Sequence, residues 1–321
     1  MRQLLKRFLR ATWHKFTGVS DLRHRLEELQ RRLDDALGPA KLGRVFNEVA
    51  CLSQAAQKLL AQQYRDAAHR GALADLTDTE FRSFSQNGED GILLYLFSVL
   101  GTTNKKVVEI CAGDGIECNA ANLIVNHGWS GLLVDGDEQN IALARQFYAT
   151  CRDTFSRVPT LVRAWVTAEN VNQLLCEHGY AGEVDLLSLD IDGMDYWVWQ
   201  ALTCVRPRVV VLEFNYRWGP ERAVTVPYRA DFRVESNKHP WCCGASLPAF
   251  VKLGRQRGYR LIGTHKQELN AIFLRSDLGT DLFPEVSVPR VFERNALLRS
   301  WSPAVLPRCD ERPDYWDVVE V

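Results

Sequence analysis

The run "KKVVEICAGDGIECNAANLIVNHGWSGLLVDGD", residues 105–137, limits the fold more than any other part of the chain. Residues 107–111 are short, apolar and rich in β-branched side chains, the pattern of a strand buried on both faces of a parallel sheet. Gly113 and Gly115 flank Asp114, where a tight turn brings bare backbone N–H groups toward a ligand. Residues 119–127 read as a helix, with Ala121, Leu123, Ile124 and His127 on one side. Residues 131–134 form the next strand, and Asp135 stands at its carboxyl end. A β-α-β unit with a glycine turn and an acid about 20 residues on is the layout that holds a nucleoside's ribose. The third glycine of the dinucleotide fingerprint is missing, because position 118 is Cys, and an acid, Glu109, already sits inside the first strand. Both departures favour a nucleoside without phosphates over a pyrophosphate cofactor; a bare structural turn is the plain alternative.

The α/β pattern continues from Phe81. "FSQNGEDGILLYLFSVL" is a polar loop feeding a helix, with Glu89 or Asp90 near its positive N-terminal end. After Asp135 the spacing predicts a helix over 141–151, a strand over 161–166 and a helix over 168–178. A fourth strand over 184–190 leads into a short helix, and "RPRVVVLEFN" is a fifth strand ending at Glu213 and Asn215. An irregular loop spans 216–243, followed by a helix, a sixth strand and a seventh. Ligands of such sheets gather at the carboxyl ends of strands, where the connectivity reverses. Asp114, Asp135, Asp190, Asp192 and Glu213 all fall at such ends.

At 321 residues the chain has length for one α/β domain plus appendages. A net charge of −1 provides no bulk attraction to nucleic acid. Nine cysteines without C-x-x-C spacing indicate neither a disulfide framework nor a structural zinc, and a reducing, cytoplasmic compartment is expected. No apolar run approaches the ~18 residues that span a bilayer. Residues 1–75 are different in kind. Arg2, Lys6, Arg7, Arg10 and Lys15 flank a face of Leu5, Phe8, Leu9, Trp13 and Phe16, the pattern of a helix lying on an inner membrane surface. A mitochondrial presequence, or a basic helix packed on the protein's own core, reads the same way. Leu22, Leu26, Leu29, Leu33 and Leu37 form a ladder suited to a short coiled coil and a homo-oligomer. A second helix is expected over 45–68. The expected organisation is therefore a helical appendage over 1–75, an α/β domain over 76–280 and an extension over 281–321.

The motifs "SQNGEDGIL", "VEICAGDG", "GLLVDGD", "AWVTAENVNQLL", "DLLSLDIDGMDYWVW", "VVVLEFN" and "GASLPAFVKLGRQRGY", in this order, resemble the FkbM-like branch of class I S-adenosylmethionine-dependent methyltransferases over residues 81–277. The resemblance implies a Rossmann-like seven-stranded class I methyltransferase sheet with helices on both faces. It implies S-adenosylmethionine at Glu109, Gly113, Asp114 and Gly115, Asp135 on the ribose hydroxyls, and Ala164 and Trp165 beside the adenine. Methyl transfer to a hydroxyl of a glycan, lipid-linked sugar or natural product is the activity it implies.

A hydroxyl acceptor must lose its proton. A positioned base contributes about 10²–10⁴-fold, and a divalent metal achieves the same end by lowering the hydroxyl's pKa. Asp190, Asp192, Glu213 and Asn215 place four oxygen-bearing side chains on adjacent strand ends, a donor set for Mg²⁺ or Mn²⁺ that resembles metal-dependent O-methyltransferases. The alternative for Asp192 is a cap on the helix starting near Met194. His239, in the long loop, is a candidate base. Tyr216, Trp218, Tyr228, Phe232 and Trp241 in that loop suit a sugar acceptor or form a small core of their own. Two other classes fit some of the residues: "LDIDG" resembles the D-x-D element of metal-dependent glycosyltransferases, and a non-catalytic scaffold would keep the fold alone.

Overall fold

Alternation along the central strands decides which side chains meet which layer. In the computed structural model, which describes residues 39–233, 243–267, 269–294 and 317–321, β1 (Lys106–Ile110) buries Val107 on one face and Val108 on the other. The neighbours β2 (Ser130–Asp135), β3 (Thr160–Arg163), β4 (Gly182–Leu189) and β5 (Val205–Glu213) run parallel to it. Later strands β7 (Tyr259–Thr264) and β8 (Asn270–Arg275) complete a seven-stranded sheet ordered β3-β2-β1-β4-β5-β8-β7, with β8 antiparallel to β5. The expected seven-stranded α/β sheet is present, with every strand near its expected place.

Helices cover both faces. On one lie α2 (Glu89–Leu100), α3 (Ala121–His127) and α4 (Glu138–Thr150), through Ile92, Leu96, Leu123 and Tyr148. On the other lie α5 (Val171–Glu177), α6 (Asp195–Ala201), α7 (Leu247–Gln256) and α8 (Val288–Arg294), through Leu175, Trp199, Phe250 and Val291. Helix α4 starts three residues earlier than its apolar spacing suggests, because the Asp137 carboxylate accepts from the N–H groups of Gln139 and Asn140.

The domain boundaries move. Backbone contacts divide the chain into Met1–Leu52 and Ser53–Val321. The C-terminal half of α1 (Pro39–His69) therefore belongs to the α/β unit, where Gln57 and Asn122 exchange amide hydrogen bonds of 3.1 and 3.0 Å. The supposed extension belongs there too. Val291 is buried in the core, and β9 (Val319–Glu320) pairs with β6 (Val224–Thr225) inside the long loop. The basic segment and the leucine ladder lie outside the described residues. Among the described residues, no helix is long and apolar enough to cross a membrane.

Candidate active site

Strand β1 has β2 on one side and β4 on the other, so the chain order reverses there and a crevice opens at the carboxyl ends. A cleft occupies that place, the position at which such sheets take their ligands. Asp135, Ala164 and Trp165 line it together, as the resemblance implies, with Cys111, Val134 and Met194.

Asp135 is almost fully engaged by the protein. Its Oδ1 accepts from Asp137 N–H at 2.8 Å and Asn140 Nδ2 at 3.1 Å, and its Oδ2 accepts from Gly113 N–H at 2.9 Å. A carboxylate offers about four acceptor positions, so one remains, room for a single ribose hydroxyl rather than two. Gly113 and Gly115 have φ of +56° and +69° and shape the turn without lining the cleft. At Gly115 a Cβ would stand 3.0 Å from that of Ala144, so the missing side chain lets α4 approach.

Two residues assigned to the cofactor do other work. Glu109 is buried in the sheet, where Oε1 accepts from Asn119 N–H at 3.0 Å and Oε2 from Ala120 N–H at 2.6 Å. It anchors the entry to α3, and burial pushes its pKa up to about 7. Asp114 Oδ1 accepts from Ile116 and Glu117 N–H at 2.9 and 3.1 Å, closing its own turn. Neither acid lines the cleft.

Residues 226–233 form the outer wall. Trp165, 46% exposed, donates from Nε1 to Ala230 O at 2.9 Å, and the Arg233 guanidinium lies 4.5 Å from its ring centre. The Tyr228 hydroxyl donates to Glu169 at 2.5 Å and accepts from Ala168 N–H at 3.1 Å. Trp218, Phe232 and Met194 bury one another in a small cluster, so these aromatics are a core of the loop itself. Arg229 is the one cation among the described residues lining the cleft, and it is paired with Asp231 at 3.5 Å.

Beside the cleft, Asp190, Asp192 and Glu213 bring carboxylate oxygens within 4.8 Å of one another. The register Leu189↔Leu212 sets the ends of β4 and β5 side by side. The turn between the first two acids is tight. Asp192 has φ of +55°, and at Gly193 a Cβ would lie 2.2 Å from the Phe232 ring. Asp195, which the motif reading passed over, clasps this turn by accepting from Ile191 N–H at 2.8 Å and Gly193 N–H at 3.0 Å. Met194, not Asp192, takes the N-cap position of α6, and Asp195 holds N–H groups that precede the helix. The signal was there in "DIDGMD", an acid at the first position of a helix just after a glycine turn.

Electrostatics set this group apart. Burial, then Asp192, pushes Asp190 up to about 6; burial, then Asp190, pushes Asp195 up to about 7. Glu213 is raised well above the carboxylate range by burial and by Asp190 and Asp195. Crowded carboxylates of this kind hold a proton or a cation in common. Three carboxylates, without sulfur or imidazole in the group, suit a hard ion such as Mg²⁺ or Mn²⁺. Asn215 follows β5 in a turn of its own, where its Oδ1 accepts from Arg217 N–H and its Nδ2 donates to Cys243 O. His239 lies outside the described residues.

No family model matches the chain, and no curated protein does. Solved structures do. The N-terminal domain of EvdMO1 with SAH bound shares 14% identity at a TM-score of 0.40, covering 59% of this chain and 82% of that one. An O-methyltransferase from Bacillus cereus in complex with SAH shares 14% identity at 0.38, over 77% of this chain and 96% of that one. A S-adenosylmethionine-dependent methyltransferase from Clostridium acetobutylicum ATCC 824 shares 10% at 0.37, over 68% and 97%. Similarity this distant does not carry a function from one protein to another.

The cleft and the acids share one turn. Ile191 and Met194 line the cleft, while Asp190 and Asp192, interleaved with them, meet Glu213.

Proposed function

We propose that this chain is an S-adenosylmethionine-dependent methyltransferase of the FkbM-like kind that methylates a hydroxyl acceptor. The shared turn carries the reading: Ile191 and Met194 line the cleft that Asp135 borders, and Asp190 and Asp192 of the same turn join a group of proton- or cation-accepting carboxylates. When bound, the cofactor supplies an electrophilic methyl on a sulfonium that leaves as a neutral thioether. Asp135 accepts one ribose hydroxyl, and the ring of Trp165 with Ala164 bounds the base. The Asp190–Glu213 pair takes the acceptor's proton, and Asp195 keeps the turn in register. Asp190, Asp192 and Glu213 are the residues that would hold Mg²⁺ or Mn²⁺, which would lower the pKa of a hydroxyl beside it. The acceptor is a hydroxyl on a glycan, lipid-linked sugar or natural product.

Titration calorimetry with S-adenosylhomocysteine, set against nucleotide sugars, is the deciding experiment. Binding of the former alone supports the reading. Binding of a nucleotide sugar alone would move the protein to the D-x-D glycosyltransferase class, and binding of neither would leave the fold as a scaffold.

A further inference from the structure

The loops that precede parallel strands gather at the edge of the sheet opposite the cleft, and there the charge reverses. Lys105 immediately precedes β1, the His127–Gly128 turn leads into β2, and Arg157 and Val158 lead into β3. Lys105 Nζ donates to His127 O at 3.4 Å and Arg157 Nη1 to Gly128 O at 3.5 Å, so the two cations flank one turn. Lys58 and Arg65 rise from the same side of α1 as the buried Ala61, at i, i+3 and i+7. Among the described residues, none of these four cations is within salt-bridge distance of a carboxylate. Asp66 and the half-buried Asp153 are the acids on the same stretches, and Asp66 stands ~100° round the helix from Arg65.

This edge is built as well as charged. Asp185, paired with Arg208 at 2.8 Å, accepts from the N–H groups of Thr103, Asn104 and Lys105 and so holds Lys105 at φ of +53°. A cavity opens beneath, floored by Leu94, Phe97, Leu123 and Trp129, with Arg65 and Lys105 in its wall. Burial, and then Lys105 and Lys58, pushes the neighbouring His127 down to about 4. Apolar side chains are exposed on the same stretch as Arg157: Phe155 is 64% exposed and Val158 44%.

We propose that this edge docks on an anionic lipid bilayer. Lys58, Arg65, Lys105 and Arg157 meet the headgroups, and Phe155 and Val158 enter the interface. Nucleic acid or an acidic protein surface would satisfy the cations but offers little to a protruding Phe and Val, which gain only from an apolar medium. The proposal uses none of residues 1–20. It lies a strand's length from the acids, and the eight residues of β4 span roughly 25 Å. A docked molecule therefore presents the cleft to the aqueous side.

The test uses the full chain with R2Q, K6Q, R7Q, R10Q and K15Q as background, so that residues 1–20 cannot carry the binding. Vesicle flotation compares phosphatidylcholine with and without phosphatidylglycerol at low salt. The background is expected to float only with phosphatidylglycerol. Adding R65Q, K105Q and R157Q should weaken binding about 100-fold, near fivefold per cation. F155S with V158S should weaken it at unchanged charge. Thermal melting of each variant confirms folding, since all five positions are exposed. A background that ignores phosphatidylglycerol, or a triple variant that binds as tightly, overturns the proposal. Unchanged binding of the F155S/V158S variant overturns it as well, leaving only a polyanion surface.

Discussion

Two acid sites share the carboxyl edge of one sheet, and they are built in opposite ways. Asp135, ending β2, receives three hydrogen bonds from Gly113, Asp137 and Asn140. Asp190 and Glu213, ending β4 and β5, are raised by burial, the first also by Asp192 and the second by Asp190 and Asp195. The first is an acid held in one geometry by donors, suited to recognising a hydroxyl without reacting. The second stores electrostatic strain that a proton or a cation relieves, suited to chemistry. A strand-end aspartate is therefore not a role in itself; the count of N–H groups and carboxylates around it decides.

The comparison predicts variants that separate binding from turnover. E213Q or D190N should lower kcat by about 10²–10⁴-fold while leaving S-adenosylhomocysteine affinity near that of the wild type. A comparable loss of affinity would mean that the two sites are one. D135A should do the reverse, weakening S-adenosylhomocysteine roughly 10–150-fold, the equivalent of a charged hydrogen bond worth roughly 1.5–3 kcal/mol. Unchanged affinity in calorimetry would place the ribose elsewhere.

Cation binding should sharpen the contrast. Because Asp190 is raised to about 6, Mg²⁺ or Mn²⁺ must displace its proton. Affinity should then tighten between about pH 5 and 7 by up to about tenfold per unit for each proton released. An affinity independent of pH, or activity untouched by chelation, would assign these acids to proton transfer alone.

Stability should show the smallest effect. A carboxyl whose folded pKa lies above its unfolded value binds more protons when folded, so stability falls as pH rises through that window. For Asp190 the window runs from its ordinary value of 3.8 to about 6, and Glu109 and Asp195 extend it to about 7. The metal-free protein should lose a few degrees of Tm between about pH 4 and 8. D190N should recover part of that loss at pH 8, and identical melting profiles would show that the triad stores no strain.

Short-range pattern made much of the fold readable. Val107–Ile110, the glycine turn and residues 131–134 identify themselves by composition and period, and the structure keeps each within a residue or two. Element boundaries set by side-chain caps were less legible, as Asp137 shows by starting α4 early. The strand pairing inside the long loop was unreadable for another reason: the partner of β6 comes from Val319–Glu320, about 95 residues away.

The candidate site divides along the same line. Sequence alone placed Asp135, Asp190, Asp192 and Glu213 at strand ends, because a buried strand announces where it stops. Tertiary structure decided which of them meet, since only the order β3-β2-β1-β4-β5-β8-β7 makes β4 and β5 neighbours and leaves β2 apart. It also decided that Glu109 and Asp114 serve the backbone, and that Asp195 clasps the turn. A carboxylate's task depends on which N–H groups and charges come within hydrogen-bond reach, and those partners arrive from other strands and helices, where no local pattern can show them.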